Sequence, residues 1–216
     1  MPLWQRPKRM RIVSPLMVML TVNAAVFWGL VTTQQVDPAA WIGSFQGNLK
    51  GSLPIALALV LTGILNSQIS PLTKARMVFL DWQHPLPGCR AFSEYLRSDN
   101  RIDAAHLERR FGPFPEEPDE QNRCWYGIYQ TVRDAPAVAD ASKGYLFGRD
   151  YAVLMVLAII IFGGLSLVLI NAPLVCIGYI AVLILQYVLA ANSARNHAIR
   201  LVTNTMAIAS QERKNG

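Results

Sequence analysis

Charge is missing from four long stretches of this sequence. Residues 12–31, 52–69, 151–170 and 173–191 hold no Asp, Glu, Lys, Arg or His. Each is close to the about 20 residues that cross roughly 30 Å of hydrocarbon at about 1.5 Å per residue. A water-soluble core helix of that length would show a polar face, and these stretches show none. The gap speaks against an ordinary soluble domain. It also disfavours ion-coupled transporters, proton relays and voltage sensors, which set an ionisable side chain at depth.

Cysteine and histidine are scarce. Cys89, Cys124 and Cys176 are odd in number, so no disulfide framework is implied. Together with His84, His106 and His197 they fall into no close-paired ligand spacing, and neither a metal nor a cofactor is predicted. No phosphate-cradling glycine loop, serine elbow, internal repeat or low-complexity run is present. Arg101 and His106 are spaced like the short motif they resemble in HEPN-type ribonucleases, but no matching helical bundle is patterned around them. With no convergent catalytic set, no enzymatic activity and no catalytic residue is expected.

What the chain does have is basic residue at the margins of the apolar runs. Arg6, Lys8, Arg9 and Arg11 precede the first run, and Lys74 and Arg76 follow the second. The first short loop offers only Asp37 and Lys50, and the turn at Asn171 offers no charge. The positive-inside rule therefore places the N-terminus in the cytoplasm. Four crossings return the C-terminus, with Arg195, Arg200, Arg213 and Lys214, to the same side. The first run continues through Phe27, Trp28 and Val31, longer than a usual signal core, so it is expected to be retained.

The expected fold is an all-α membrane protein with about four transmembrane helices in two hairpins and a small helical cytoplasmic domain inserted between helices two and three. Residues 1–11 form a basic cytoplasmic tail, and 12–70 a transmembrane hairpin with a short outer loop at 33–50. Residues 71–149 form the cytoplasmic helical domain, 150–192 the second hairpin, and 193–216 a cytoplasmic C-terminal helix and tail. The net charge of +6 resides in the tails, while residues 72–149 are nearly balanced. Basic tails beside anionic lipid account for it, and no nucleic-acid partner is expected.

Local signals place helices in the central segment. Asp103 is a plausible cap for a helix using Leu107 and Phe111 and ended by Gly112. Trp125, Ile128, Tyr129 and Val132 have the i, i+3, i+4, i+7 spacing of one helix face. Asp134 is expected to cap a further helix with Pro136 in its first turn, and Asp37 and Pro38 to start a short helix in the outer loop. The prolines between Asp81 and Arg90 predict an extended connector. Ala194, Ala198, Leu201, Thr205 and Ile208 recur as a seam, read either as a weak coiled coil or as a helix packing on its own domain.

Three groups of residues stand out. Arg123, Trp125, Tyr126, Tyr129 and Arg133 form an aromatic and basic set that is either a partner face or domain core. Trp82, His84 and Cys89 mark a membrane-proximal connector. Asn23, Asn66, Gly163, Gly164 and Gln186 are polar or small residues within spans, suited to helix packing or a pore lining. The expected function is that of an oligomeric inner-membrane effector whose cytoplasmic domain receives a signal or partner and whose spans permeabilise or disturb the membrane. Small multi-span proteins of bacterial antiviral defence share that broad plan. The competing expectation is a membrane-anchored scaffold that recruits a soluble cytoplasmic partner.

Overall fold

The computed structural model describes residues 10–47 and 53–211, with side chains over 15–44 and 56–211. The tail and loop charges Arg6, Lys8, Arg9, Lys50, Arg213 and Lys214 lie outside the described residues. Among the described residues every regular element is helical. Nine α-helices are numbered here: α1 Met10–Thr33, α2 Pro38–Gly47, α3 Leu53–Gln68, α4 Pro71–Phe79, α5 Ala104–Phe111, α6 Pro118–Val132, α7 Pro136–Ala158, α8 Gly164–Leu169 and α9 Pro173–Gln211. A 3-10 turn (Pro87–Arg90) and a π-turn (Ala91–Tyr95) lie between α4 and α5, and a second π-turn (Ile159–Gly163) joins α7 to α8.

Among the described residues, three helical segments are long and apolar enough to cross a membrane: Pro15–Thr33, Pro136–Leu169 and Pro173–Gln211. A fourth qualifies only if α3 and α4 count as one broken span, because they bend by 101°. Alone, α3 has 16 residues. That is about 24 Å of helix, short of roughly 30 Å of hydrocarbon. The bend falls at Ser70 and Pro71, where the proline ring disfavours helical backbone at the preceding residue. Against the expectation of about four transmembrane helices, three helices among the described residues qualify outright, and four if the bent pair counts as one. Pro15 lies inside α1, which begins at Met10, and opens the candidate span Pro15–Thr33.

The chain divides into two compact units. One comprises Met1–Ser70 and Asp150–Ala190, the other Pro71–Arg149 and Ala191–Gly216. In the first unit, α1 buries Leu16, Leu20, Ala24 and Phe27, spaced three or four apart on one stripe, while Val18 and Val22 stay exposed. The Phe27 ring packs against Phe162 at 5.4 Å and Tyr179 at 5.8 Å between centroids. The outward faces are apolar too: Leu167, Val168, Leu174 and Ile177 are all at least 63% exposed. Apolar surface on that scale suits lipid as solvent. Asp37 caps α2, accepting from the Ala39 N–H at 2.9 Å, and the Trp41 ring then lies directly over Gly29, where any Cβ would collide with it. Gln34 adopts a left-handed backbone (φ 58°). Its side chain donates to the Leu169 carbonyl at 3.1 Å and accepts from the Asn171 N–H at 2.7 Å, fixing the turn before α9.

In the second unit, Asp103 caps α5 through the His106 N–H, and Gly112 (φ 90°) ends it. Glu117 caps α6, with Pro118 opening its first turn. Gln121, Trp125, Ile128 and Val132 are the buried face of α6. Helix α7 departs from expectation: the Ala135 carbonyl accepts from the Ala139 N–H, so Ala135 rather than Asp134 occupies the cap position, and the Asp134 carboxylate is 97% exposed. Ala194, Ala198, Leu201 and Thr205 of the α9 seam are buried within the chain itself, and their neighbours bond to α5 and α7. Ser210 accepts from the Asp103 N–H at 3.3 Å, the Ala209 carbonyl from Arg110 at 3.0 Å, and Asn204 donates to the Ala137 carbonyl at 3.3 Å. Close approach of α7 and α9 requires small residues. A Cβ on Gly148 would lie 3.0 Å from the Ala194 nitrogen, and one on Gly144 would strike the His197 ring.

Candidate functional site

Residues 81–95 wind back on themselves rather than running extended. Leu80 leaves α4 in the left-handed region (φ 55°). The Asp81 carboxylate then accepts from the Gln83 and His84 N–H groups through one oxygen, both at 3.0 Å, and from Arg90 Nη2 through the other at 2.7 Å. One side chain thereby ties together the two ends of the loop. Those hydrogen bonds, led by that from His84, hold the Asp81 carboxyl below the usual carboxylate range. The prolines do act locally, since Pro85 and Pro87 are buried and Pro87 opens the 3-10 turn that presents Cys89.

The loop seats on α6 through Gly88. A Cβ there would lie 2.5 Å from Asn122 Oδ1 and 2.6 Å from Trp125 Cε3. Buried Gln121 completes the seat: its Oε1 accepts from the Phe92 and Ser93 N–H groups at 3.1 Å, and its Nε2 donates to the Glu116 carbonyl at 2.8 Å. Gln121 thus serves the open donors of the π-turn, a role that spacing alone does not signal.

This packing brings three chemically distinct side chains together. A ring nitrogen of His84, the sulfur of Cys89 and a carboxylate oxygen of Asp119 all lie within 4.8 Å of one another. His84 Nδ1 is 3.3 Å from Asp119 Oδ1, across 35 residues of sequence. Cys89 is 2% exposed, His84 is half-buried and Asp119 is open to solvent at the first turn of α6. Burial above all pushes the Cys89 thiol up, and the charges of Asp119 and Asp81 push the same way against Arg90. A thiol held protonated is a poor nucleophile. A nitrogen, a sulfur and an oxygen within 4.8 Å of one another have the composition of a ligand cluster. Sequence spacing misses it because Asp119 comes from a separate element.

The aromatic and basic set on α6 does not form one face. Trp125 is buried under Gly88, and its ring stacks on half-buried Tyr129 at 5.5 Å. Tyr126 follows at 5.9 Å from Tyr129 and is 53% exposed. Arg123 is exposed, and Arg133 is exposed beside Gln130 and Asp134. Three rings therefore run from core to surface, and only Arg123, Tyr126 and Arg133 are open to a partner. Trp82 is 68% exposed, in the same connector as His84 and Cys89. Arg101 binds Asp99 and Asn204, and His106 lies in the first turn of α5.

Within the first unit, Asn23 and Gln186 exchange two amide hydrogen bonds, each 3.0 Å. Tyr151, which the sequence reading passes over, donates to the same Gln186 oxygen at 2.7 Å. The Asn66 Oδ1 atom is buried and has no hydrogen-bond partner among the described residues. Gly163 closes the π-turn, where a Cβ would make ordinary contact with Ile180, and Gly164 faces open space.

Comparison with known protein families, curated proteins and solved structures returns no match. The class of protein rests on the chain itself: the described residues are all-helical in their regular structure, with three or four helices long and apolar enough to span a membrane.

Proposed function

We propose that the chain is a multi-pass inner-membrane effector that crosses the bilayer four times, with both termini and the 71–149 segment in the cytoplasm. In this reading it works as an oligomer: the polar helical unit receives a signal or a soluble partner, and the apolar helices then permeabilise or disturb the membrane, as in bacterial antiviral defence. The short α3 is accommodated by local thinning of the bilayer. The observation that carries the reading is helical continuity. Helices α7 and α9 each contribute residues to both units without a break in the helix at the boundary. A tether has no need of that continuity, whereas a receiver that acts on the membrane does. Induced expression of the full chain should depolarise cells and arrest growth in the presence of the activating signal; unchanged potential and normal growth across phage challenge and envelope stress would contradict it.

The exposed group Arg123, Tyr126 and Arg133 supports a second reading, a scaffold that anchors a soluble partner. Affinity purification of the full chain should then recover a stoichiometric partner that is lost on Tyr126→Ala. Recovery of this chain alone would set that reading aside.

A further inference from the structure

We propose that His84, Cys89 and Asp119 bind a zinc(II) ion. The three potential ligand atoms are a nitrogen, a sulfur and an oxygen, mutually within 4.8 Å. Tetrahedral zinc, with bonds of about 2.0–2.3 Å, sets neighbouring ligand atoms about 3.3–3.8 Å apart. Closing the cluster around an ion therefore asks each side chain to move by no more than about 1 Å. The cluster is built for that adjustment. Cys89 is buried at the base and fixed by the 3-10 turn, while His84 and Asp119 are partly or largely exposed and free to swing inward.

The chemistry of the set selects the ion. A thiolate is a poor partner for magnesium or calcium, which take oxygen ligands in greater number. One thiolate, one imidazole and one carboxylate make a mixed set of the kind zinc accepts, with a fourth position left for water or a partner's side chain. On binding, the Cys89 S–H bond breaks, a sulfur–zinc bond forms and the proton passes to solvent. The ion then balances the negative charges of the thiolate and Asp119.

Support behind the ligands is already in place. Asp81 holds the backbone of His84 and the side chain of Arg90, the residue next to Cys89, through one carboxylate. Asp119 rides on a helix whose Asn122 and Trp125 seat the neighbouring Gly88. The cross-link would join residues 35 apart. A small helical unit with limited core gains most from such a closure. Without metal the same residues amount to a surface histidine–carboxylate contact above an inert core thiol, and the two accounts differ in what they bind.

The test uses the full chain in detergent, stripped with a chelator and titrated with cobalt(II) as a spectroscopic probe, then with zinc(II). One equivalent of cobalt should give intense tetrahedral d–d bands and a thiolate-to-cobalt charge-transfer band, both abolished by one equivalent of zinc. Cys89→Ser should remove the charge-transfer band, and His84→Ala and Asp119→Asn should each weaken zinc binding about tenfold or more. Asp81→Asn, a positioning change, should weaken it about tenfold with the helical circular dichroism unchanged. Cys124→Ser should change nothing. Absence of cobalt binding, a weak octahedral spectrum without sulfur ligation, or a charge-transfer band lost in Cys124→Ser instead would overturn the proposal. If Cys89→Ser fails to fold, the wild-type cobalt spectrum alone decides.

Discussion

Replacing Gly88 and Gly127 by alanine should move stability in opposite directions, although the chemical change is identical. At Gly88 a new methyl would meet Asn122 Oδ1 at 2.5 Å, Trp125 Cε3 at 2.6 Å and the Asn122 Cα at 3.1 Å. The Cα cannot yield without moving α6, and Trp125 is 6% exposed with its ring stacked on Tyr129. Overpacking of that kind costs about 1–3 kcal/mol. At Gly127, on the exposed side of α6, nothing lies within 4 Å. There alanine gains about 0.5–1 kcal/mol from helix propensity and reduced unfolded-state entropy. Amide hydrogen exchange of α6, read by mass spectrometry in detergent, reports local opening free energy. With tenfold per about 1.4 kcal/mol, Gly88→Ala should speed exchange about 5- to 140-fold and Gly127→Ala slow it about 2- to 5-fold. Equal or slower exchange in Gly88→Ala would refute the seating of the connector on α6, and with it the geometry of the His84, Cys89 and Asp119 cluster.

Three further outcomes follow from the same contacts. Asn23→Leu or Gln186→Leu alone strands an amide among apolar helices and should lower detergent stability by about 1–2 kcal/mol, while the double replacement should cost less than the sum, as a double-mutant cycle would show. Asp103→Ala removes the α5 cap and should cost about 1 kcal/mol, measured as faster exchange confined to residues 104–107. Asp99 is held below its ordinary value of 3.8 by the side-chain hydrogen bond from Arg101. A depressed folded value means the stabilisation is complete above the unfolded value and disappears as pH falls through the folded one. Acid denaturation of Asp99→Asn should therefore be shallower below about pH 4 than that of the wild type.

Features of the chain that act over one or two helical turns are legible in the sequence. Asp103 and Gly112 bracket α5 because a cap and a left-handed stop are local devices. The Trp125, Ile128 and Val132 stripe follows from helical period alone. What spacing does not carry is a contact between distant elements. Gln121 looks like a polar surface residue until the π-turn is folded onto it, and Asp119 looks like part of an acidic helix start until His84 and Cys89 arrive. Tyr151 opens a charge-free stretch, where spacing carries no sign that its hydroxyl donates to Gln186. The extended connector failed for a specific reason: Asp81 offers its carboxylate to local N–H groups, which turns the chain before the prolines can straighten it.

The bilayer remains the premise on which the rest stands. Cells expressing the chain with a reporter fused after Gly216, active only in the cytoplasm, should show activity from a membrane fraction that resists alkaline carbonate. A reporter active only outside the inner membrane, or a chain released by carbonate into the soluble fraction, would contradict a four-crossing protein with its C-terminus inside.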